Sequence, residues 1–213
     1  MKEMKVRITL LEEILGTASN NPDIHSDYIA SKAPDAKSKE EEIEAIGVDA
    51  EIEKSMTVFP RNKEGQPIMW DYQVKGFFKD ACGMLRNVKG SESSKMKAYK
   101  KKIDGLIFVK ERKIPIQMSG DIGNCQRPLR AQTMQGERVT LANSETIPEG
   151  SVLEFTVCCL VDGDVDVVKE WLDYGKWRGL GQWRNSGKGK FVWQELDGKG
   201  NVIGGNAEGY LAS

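Results

Sequence analysis

The sequence predicts an α+β fold in which helices cover one face of an antiparallel sheet. Residues 4–15 and 151–161 carry the alternating or apolar pattern of strands. Residues 72–88 and 164–177 carry apolar side chains at helical spacings. Strands and helices do not alternate regularly, which disfavours a doubly wound parallel sheet. The order fits the βαββαβ pattern of ferredoxin-like and RRM-like folds, with inserted segments.

The first third of the chain predicts a strand, a loop and an acidic helix. Val6, Ile8 and Leu10 alternate with polar residues, as in a half-buried strand. Residues 37–54 indicate a helix with a capping-box start. Residues 55–70 predict two short strands around the turn "NKEG".

The clearest amphipathic helix runs from Tyr72 to Val88, with Asp71 as its expected cap. Residues 93–102 form a second, strongly basic helix or a linker. The remaining elements are strands at 105–109, 113–118, 127–133, 137–142 and 151–161, a helix at 164–177 and a strand at 190–196.

The chain has 213 residues, which is enough to bury a substantial core. We expect a single domain over residues 1–213. An acidic insertion is expected at residues 20–56 and a basic, strand-rich insertion at residues 89–150. The segment 197–213 contains five glycines, so we expect a flexible tail there.

The net charge of −1 conceals two regions of opposite charge. Between Lys75 and Arg138 there are 15 basic and six acidic residues, whereas between Asp23 and Lys54 there are four basic and ten acidic residues. Such separation suits a basic groove or head-to-tail contact between identical subunits, so we expect a homo-oligomer. A solvated surface with uneven charge is the alternative.

The composition favours a cytoplasmic protein without a membrane segment. No apolar run approaches the ~20 residues that span a bilayer, and the start lacks the apolar core of a signal peptide. The four cysteines lack a metal-ligand spacing such as C-x-x-C, so we expect free thiols, no metal and no cofactor. The cysteines are Cys82, Cys125, Cys158 and Cys159.

Residues 178–191, "RGLGQWRNSGKGKF", contain four glycines and four basic residues. Glycine admits positive φ, and successive main-chain N–H groups can bind an anion. The segment is not a P-loop, because Gly189 follows Lys188. A mobile glycine turn is the alternative to a phosphate-binding loop. The candidate phosphate-binding residues are Arg178, Gly179, Gly181, Arg184, Gly187, Lys188 and Gly189, and Trp183 is the candidate for base stacking.

Three segments resemble the RAMP superfamily, the RNA-binding backbone subunits of CRISPR effector complexes. "PIMWDYQVKGFFKDACGMLRNV" (67–88) resembles the family's "PGSSLKGALR" helix, with Lys75 and Gly76 at its Lys-Gly pair. "LLEEILGTAS" (10–19) resembles its first strand and the following loop, and "GLGQWRNSGKGKF" resembles its C-terminal glycine-rich loop. The helix lacks the family's Pro-Gly-Ser lead-in, and the middle of the chain has no counterpart in the family.

The resemblance implies that three pieces meet to hold a sugar–phosphate backbone. They are the loop after the first strand, the start of the long helix and the glycine-rich loop. The first two contribute Gly16, Thr17, Ser19, Lys75, Gly76 and Lys79. Separately from the resemblance, Arg127 and Arg130 could bind phosphate or bases, or could be outward-facing strand residues.

We therefore expect a non-enzymatic protein that binds single-stranded RNA or nucleotide phosphate. The whole sequence also resembles phage and prophage proteins, so a counter-defence sponge for a cyclic nucleotide or oligonucleotide signal is an alternative. A metal-independent endoribonuclease is a second alternative, with His25, the only histidine, or the nearby Asp23 or Asp27 as its candidate acid or base. A structural or assembly protein without a nucleotide is the third.

Overall fold

The computed structural model describes residues 1–19, 56–133 and 136–211. The helix predicted at 37–54, and His25, lie outside the described residues. The helices within these ranges are α1 (Asp71–Leu85), α2 (Tyr99–Leu106) and α3 (Asp164–Arg178). The strands are β1 (Lys2–Leu10), β2 (Ile14–Leu15), β3 (Ala18–Ser19), β4 (Thr57–Val58), β5 (Ile68–Trp70), β6 (Ile107–Val109), β7 (Lys113–Gln117), β8 (Gly123–Thr133), β9 (Gly136–Ile147), β10 (Val152–Cys159), β11 (Phe191–Leu196) and β12 (Val202–Gly205).

The main sheet has the strand order β12-β11-β1-β10-β7-β5, and β6 also pairs with β10. Every neighbouring pair in this sheet is antiparallel. The chain contains one βαββαβ unit, made of β1, α1, β6–β7, β10, α3 and β11. The last strand of this unit, β11, lies beside the first, β1. The third strand, β10, lies between β1 and the second strand, β6–β7. This is the ferredoxin-like order, so the predicted α+β class is confirmed.

The core lies between one face of the main sheet and helices α1 and α3. Along β10, Leu153, Phe155 and Val157 are buried while the residues between them are not, as period-2 geometry requires. The ring of Phe78 on α1 lies 5.4 Å from that of Trp171 on α3. Burial of these two large rings fixes the positions of both helices over the sheet.

Helix α1 begins one residue earlier than the sequence indicates. Trp70 is extended, with φ −82° and ψ 146°, and occupies the N-cap position. Its main-chain N–H donates to Oε1 of Gln73 at 2.8 Å, which satisfies a donor at the helix start. Asp71 therefore lies in the first turn, where its charge favours the positive end of the helix dipole.

A second sheet, in the order β2-β9-β4-β3 with β8 also paired to β9, adjoins the first. The strands β8 and β9 form a long antiparallel ladder from Gly123 opposite Thr146 to Thr133 opposite Gly136. Residues 89–150 thus divide between the two sheets, because β6 and β7 join the main sheet. The segment 197–213, expected as a flexible tail, contributes β12 to the edge beside β11.

All four cysteines are free thiols, and Cys82 and Cys159 are buried. In the ranges that the structure describes, no helix is long and apolar enough to cross a bilayer.

Candidate nucleic-acid interface

The glycine-rich loop after α3 folds back on itself, so that its first residues cross over its last residues at close distance. The N–H of Leu180 donates to the carbonyl of Gly189 at 2.8 Å. A Cβ built on Gly189 would lie 2.1 Å from the Leu180 carbonyl oxygen, and one built on Gly179 would lie 2.6 Å from the Lys188 carbonyl oxygen. Both glycines also have positive φ, +69° and +73° respectively. These two glycines therefore permit the crossing rather than face a ligand.

The base of the same loop is tied to the segment between β1 and β2. The N–H of Gly189 donates to the carbonyl of Glu13 at 2.9 Å, and Nζ of Lys188 lies 2.6 Å from Oε1 of Glu13. This contact with Glu13 raises the pKa of Lys188. The charge of Lys188 is consequently used within the protein to fix the loop.

The tip of the loop contains a run of main-chain N–H groups that the other described residues do not use. Trp183 is left-handed with φ +57°, and a 3-10 turn over Arg184–Ser186 follows it. The N–H groups of residues 181–185 donate to no acceptor within the described part of the chain. An alternation of left- and right-handed residues aims successive N–H groups at a shared concavity, which suits an anion.

A cleft lies beside this tip, and we call it the arginine cleft. Strand β8 contributes one arginine to it, the end of α3 a second and the loop a third. Its lining residues are Arg127, Arg178, Gly181, Gln182, Trp183, Arg184 and Asn185.

Arg127 is a buried cation without a carboxylate partner among the described residues. The residue is only 7% exposed. One terminal nitrogen donates to Oε1 of Gln182 at 3.0 Å, and Cζ lies 4.4 Å from the centre of the Trp183 ring. Nε and the other terminal nitrogen have no hydrogen-bond partner among the described residues. A buried charge in this state is costly, and an anion would remove much of that cost.

The other two arginines of the cleft share a single carboxylate on α1. Nε of Arg178 lies 2.8 Å from Asp80, and one terminal nitrogen of Arg184 lies 2.9 Å from the same oxygen. The hydrogen bond to Asp80 raises the pKa of Arg178. Arg178 also donates to Oδ1 of Asn185 at 2.6 Å. Three guanidinium groups thus line the arginine cleft, and one carboxylate pairs with two of them, so the cleft keeps a positive charge.

A shallow groove continues from the cleft onto α1, and we call it the helix groove. Nε2 of Gln73 donates to Oγ1 of Thr17 at 2.7 Å, which joins α1 to the loop after β2. A Cβ on Gly76 would meet no atom within 4 Å, so the helix surface is open there. Gly181 and Arg184 line both depressions. The groove is lined by Thr17, Gln73, Gly76, Phe77, Leu180, Gly181 and Arg184.

The two lysines of α1 that are predicted to hold phosphate lie on the other side of the helix from the arginine cleft. Nζ of Lys75 donates to the carbonyl of Asp104 at 3.0 Å and lies 4.7 Å from the centre of the Phe108 ring. Burial lowers the pKa of Lys75. Nζ of Lys79 lies 2.6 Å from the carboxylate of Asp104. Both lysines face α2 and line neither the arginine cleft nor the helix groove.

The remaining predicted residues have other positions. Gly16 packs against β4, where a Cβ would lie 2.5 Å from the carbonyl carbon of Val58, and its own carbonyl accepts from Gln182 at 2.9 Å. Ser19 lies in β3 opposite Thr57. Gly187 ends the 3-10 turn with φ +87°. Arg130 lies in β8, three residues after Arg127.

Sequence reasoning did not identify Gln73, Asp80 or Gln182. Gln73 and Asp80 are seven residues apart, so they lie on one face of a helix. This spacing could have identified them from the sequence. Gln182 has no comparable signal, because its role depends on the two partners that the fold brings to it. The described residues contain no group of three or more His, Cys, Asp or Glu side chains that could hold a metal ion.

Fold and site together define a ferredoxin-like α+β protein with a cationic cleft between its glycine-rich loop and one core helix. No family model matches the sequence, and no curated protein matches it. Among solved structures, the chain is similar to a chain in the cryo-EM structure of the Type III-B Cmr-beta bound to cognate target RNA. The two have 12% identity and a TM-score of 0.49. The match covers 89% of this chain and 58% of that chain, so the protein spans little more than half of that neighbour's length.

Proposed function

We propose that the protein binds single-stranded RNA without cleaving it, and that the arginine cleft holds a backbone phosphate. The observation that carries this proposal is the buried guanidinium of Arg127, which has two nitrogens without a partner among the described residues. A guanidinium binds the oxygens of a phosphate group through strong, often bidentate, charge-assisted hydrogen bonds.

The surroundings of Arg127 favour phosphate over a simple carboxylate. A phosphate presents several oxygens, and the cleft is lined by Arg178, Arg184 and loop residues whose N–H groups have no main-chain acceptor among the described residues. Trp183 is partly exposed, and Arg127 covers one face of its ring. The opposite face supports stacking by a nucleobase, which every base can provide.

The helix groove supports a polymer rather than an isolated phosphate. It extends the cleft across α1 without a side chain at Gly76, so a backbone leaving the cleft meets an open helix surface. The motif resemblance to RNA-binding subunits supports the same conclusion, because Gly76 and the glycine-rich loop belong to two of its three segments.

The test is fluorescence anisotropy with a 5′-labelled oligouridine of about 12 nucleotides, which covers most known single-strand site sizes. We expect Arg127→Met to weaken binding by roughly 10- to 150-fold, because hydrogen bonds to charged groups contribute ~1.5–3 kcal/mol. The matched control is Arg7→Met. Arg7 lies on the outer face of the main sheet and is already paired with Glu154 at 2.8 Å, so its loss should change affinity little.

Two outcomes would contradict the proposal. The first is unchanged affinity in the Arg127→Met variant, and the second is a larger loss from Arg7→Met, which would move the binding surface to the open sheet face. Recovery of the oligouridine at full length after long incubation is the expected result for a binding protein. Shortened products would replace binding by a nuclease function.

A further inference from the structure

The start of α1 carries a second aromatic and cationic cluster that the arginine cleft does not use. Trp70 is the last residue of β5, and Tyr72 lies in the first turn of α1. Their rings are parallel to within 14° and their centres are 6.4 Å apart. Tyr72 is 55% exposed, whereas Trp70 is partly buried. More than half of the Tyr72 residue is therefore open to solvent beside a second, parallel ring.

Two basic residues flank these rings. Cζ of Arg112 lies 5.4 Å from the centre of the Trp70 ring and 5.7 Å from that of Tyr72. Nζ of Lys113 lies 5.6 Å from the Trp70 ring. The carboxylate of Asp71 forms an ion pair with Arg112 and orients its guanidinium, and most of that side chain stays exposed.

We propose that Trp70, Tyr72, Arg112 and Lys113 form a second nucleotide site, which we call the aromatic platform. A base stacks on the open face of Tyr72, and its phosphate contacts Arg112 and Lys113. The chemistry matches single-strand recognition elsewhere, where aromatic faces receive bases and a basic surface follows the backbone. This proposal rests on the proposed function, because the platform receives a further nucleotide of the same RNA.

Gln73 connects the platform to the helix groove. Its Oε1 accepts from the main-chain N–H of Trp70 at 2.8 Å, and its Nε2 donates to Thr17 at 2.7 Å in the groove. Tyr72 and Gly76 are four residues apart in α1, about one turn or ~6 Å along the helix axis. A strand that leaves the arginine cleft over Gly76 therefore reaches Tyr72 next.

The platform has a consequence for the class of ligand. A mononucleotide or a compact cyclic nucleotide would contact one end of this path only. An oligonucleotide can fill the arginine cleft and the platform together, so affinity should rise with RNA length until both are occupied.

Two variants and two matched controls test the platform with the same oligouridine. We expect Tyr72→Ala to weaken binding by roughly 5- to 150-fold, the range for one base stacked on an aromatic side chain. Arg112→Ala should lower the slope of log affinity against log salt by about 0.7, the value for one single-strand phosphate contact. The controls are Tyr210→Ala and Lys199→Ala. Both residues are exposed and lie beside β12, at the opposite edge of the main sheet from β5.

A scan with one abasic nucleotide makes the test specific for stacking. In the unaltered protein, we expect one position at which loss of the base weakens binding as much as Tyr72→Ala does. In the Tyr72→Ala variant, the abasic nucleotide at that position should cause no further loss. Independent losses at every position would overturn stacking at the platform.

The outcomes separate the two proposals. If Tyr72→Ala and Arg112→Ala bind like the unaltered protein while Arg127→Met is weakened, the platform is wrong and the proposed function stands. If Arg127→Met binds normally while Tyr72→Ala is weakened, the RNA lies on the platform and the arginine cleft is not its phosphate site. Absence of binding by the unaltered protein overturns both.

Discussion

The two sides of helix α1 differ in how their charges are used. On the side facing α2, Lys75 and Lys79 both contact Asp104. On the side facing the glycine-rich loop, Arg127 is buried and two of its nitrogens have no partner within the described residues. The lysine side has more basic residues in the sequence, because Lys100, Lys101 and Lys102 follow in α2.

This comparison shows that a count of basic residues does not locate an anion site. Exposed lysines are hydrated and gain little from a phosphate beyond long-range attraction, which salt screens. A desolvated guanidinium attracts an anion more strongly, because the local dielectric constant is lower and water does not compete. The difference between the two sides is therefore one of desolvation and pairing, and four predictions test it.

The largest expected effect is on the loop that builds the arginine side. Gly189→Ala would force a Cβ to 2.1 Å from the Leu180 carbonyl at φ +69°. We expect the free energy of unfolding in urea to fall by about 2–4 kcal/mol, since backbone strain and the displaced hydrogen bond add.

Gly76→Ala is the matched substitution at an open position. A Cβ there meets no atom within 4 Å, and alanine favours a helix over glycine by up to ~1 kcal/mol, so the free energy of unfolding should rise. Equal losses of stability in the two variants would show that the close contact with Leu180 is not the reason for a glycine at position 189.

The next effect separates binding from stability at Arg127. We expect Arg127→Met to keep the free energy of unfolding unchanged or to raise it by up to ~2 kcal/mol, because a buried, incompletely paired charge is replaced by an apolar chain. The lost contacts with Gln182 and Trp183 offset part of this gain. Urea denaturation measures the change. A fall of several kcal/mol would indicate that Arg127 is a structural residue.

Asp80 and Asp104 offer a matched pair of carboxylates on the two sides of α1. Asp80→Asn should strengthen oligouridine binding by roughly three- to tenfold, because loss of one nearby negative charge is worth on the order of 1 kcal/mol. Asp104→Asn frees Lys79 but should change affinity less than Asp80→Asn does. The reverse order in anisotropy titrations would move the binding surface to the lysine side.

The smallest effect is expected for the lysines themselves. Lys75→Met and Lys79→Met should each weaken oligouridine binding by less than about threefold at moderate salt, since both ammonium groups contact Asp104 and line neither the arginine cleft nor the helix groove. The slope of log affinity against log salt should be the same in each variant as in the unaltered protein. A change in that slope of about 0.7 for either variant would mean a direct phosphate contact.

Local patterns in the sequence predicted most of the elements. The long helix and the first strand follow from periodicity, because apolar side chains recur at the spacing of the buried face. The strands predicted at 127–133 and 137–142 are longer in the structure, at Gly123–Thr133 and Gly136–Ile147. The predicted start of α1 was one residue too late, because the N-cap is set by the hydrogen bond from the N–H of Trp70 to the side chain of Gln73. The glycine spacing likewise predicted the loop, but it did not predict which glycines are needed for close backbone contacts within it.

The sequence by itself determined the α+β class, the order of the elements and the segments that line the candidate site. These depend on contacts between residues close in the chain and on burial of periodic apolar faces. Only the tertiary structure decided which charges are available. Asp104 lies beside Lys75, Asp80 beside Arg178 and Arg127 beside Trp183, each from elements distant in sequence. Desolvation and pairing depend on such distant neighbours, so they are fixed when the chain packs.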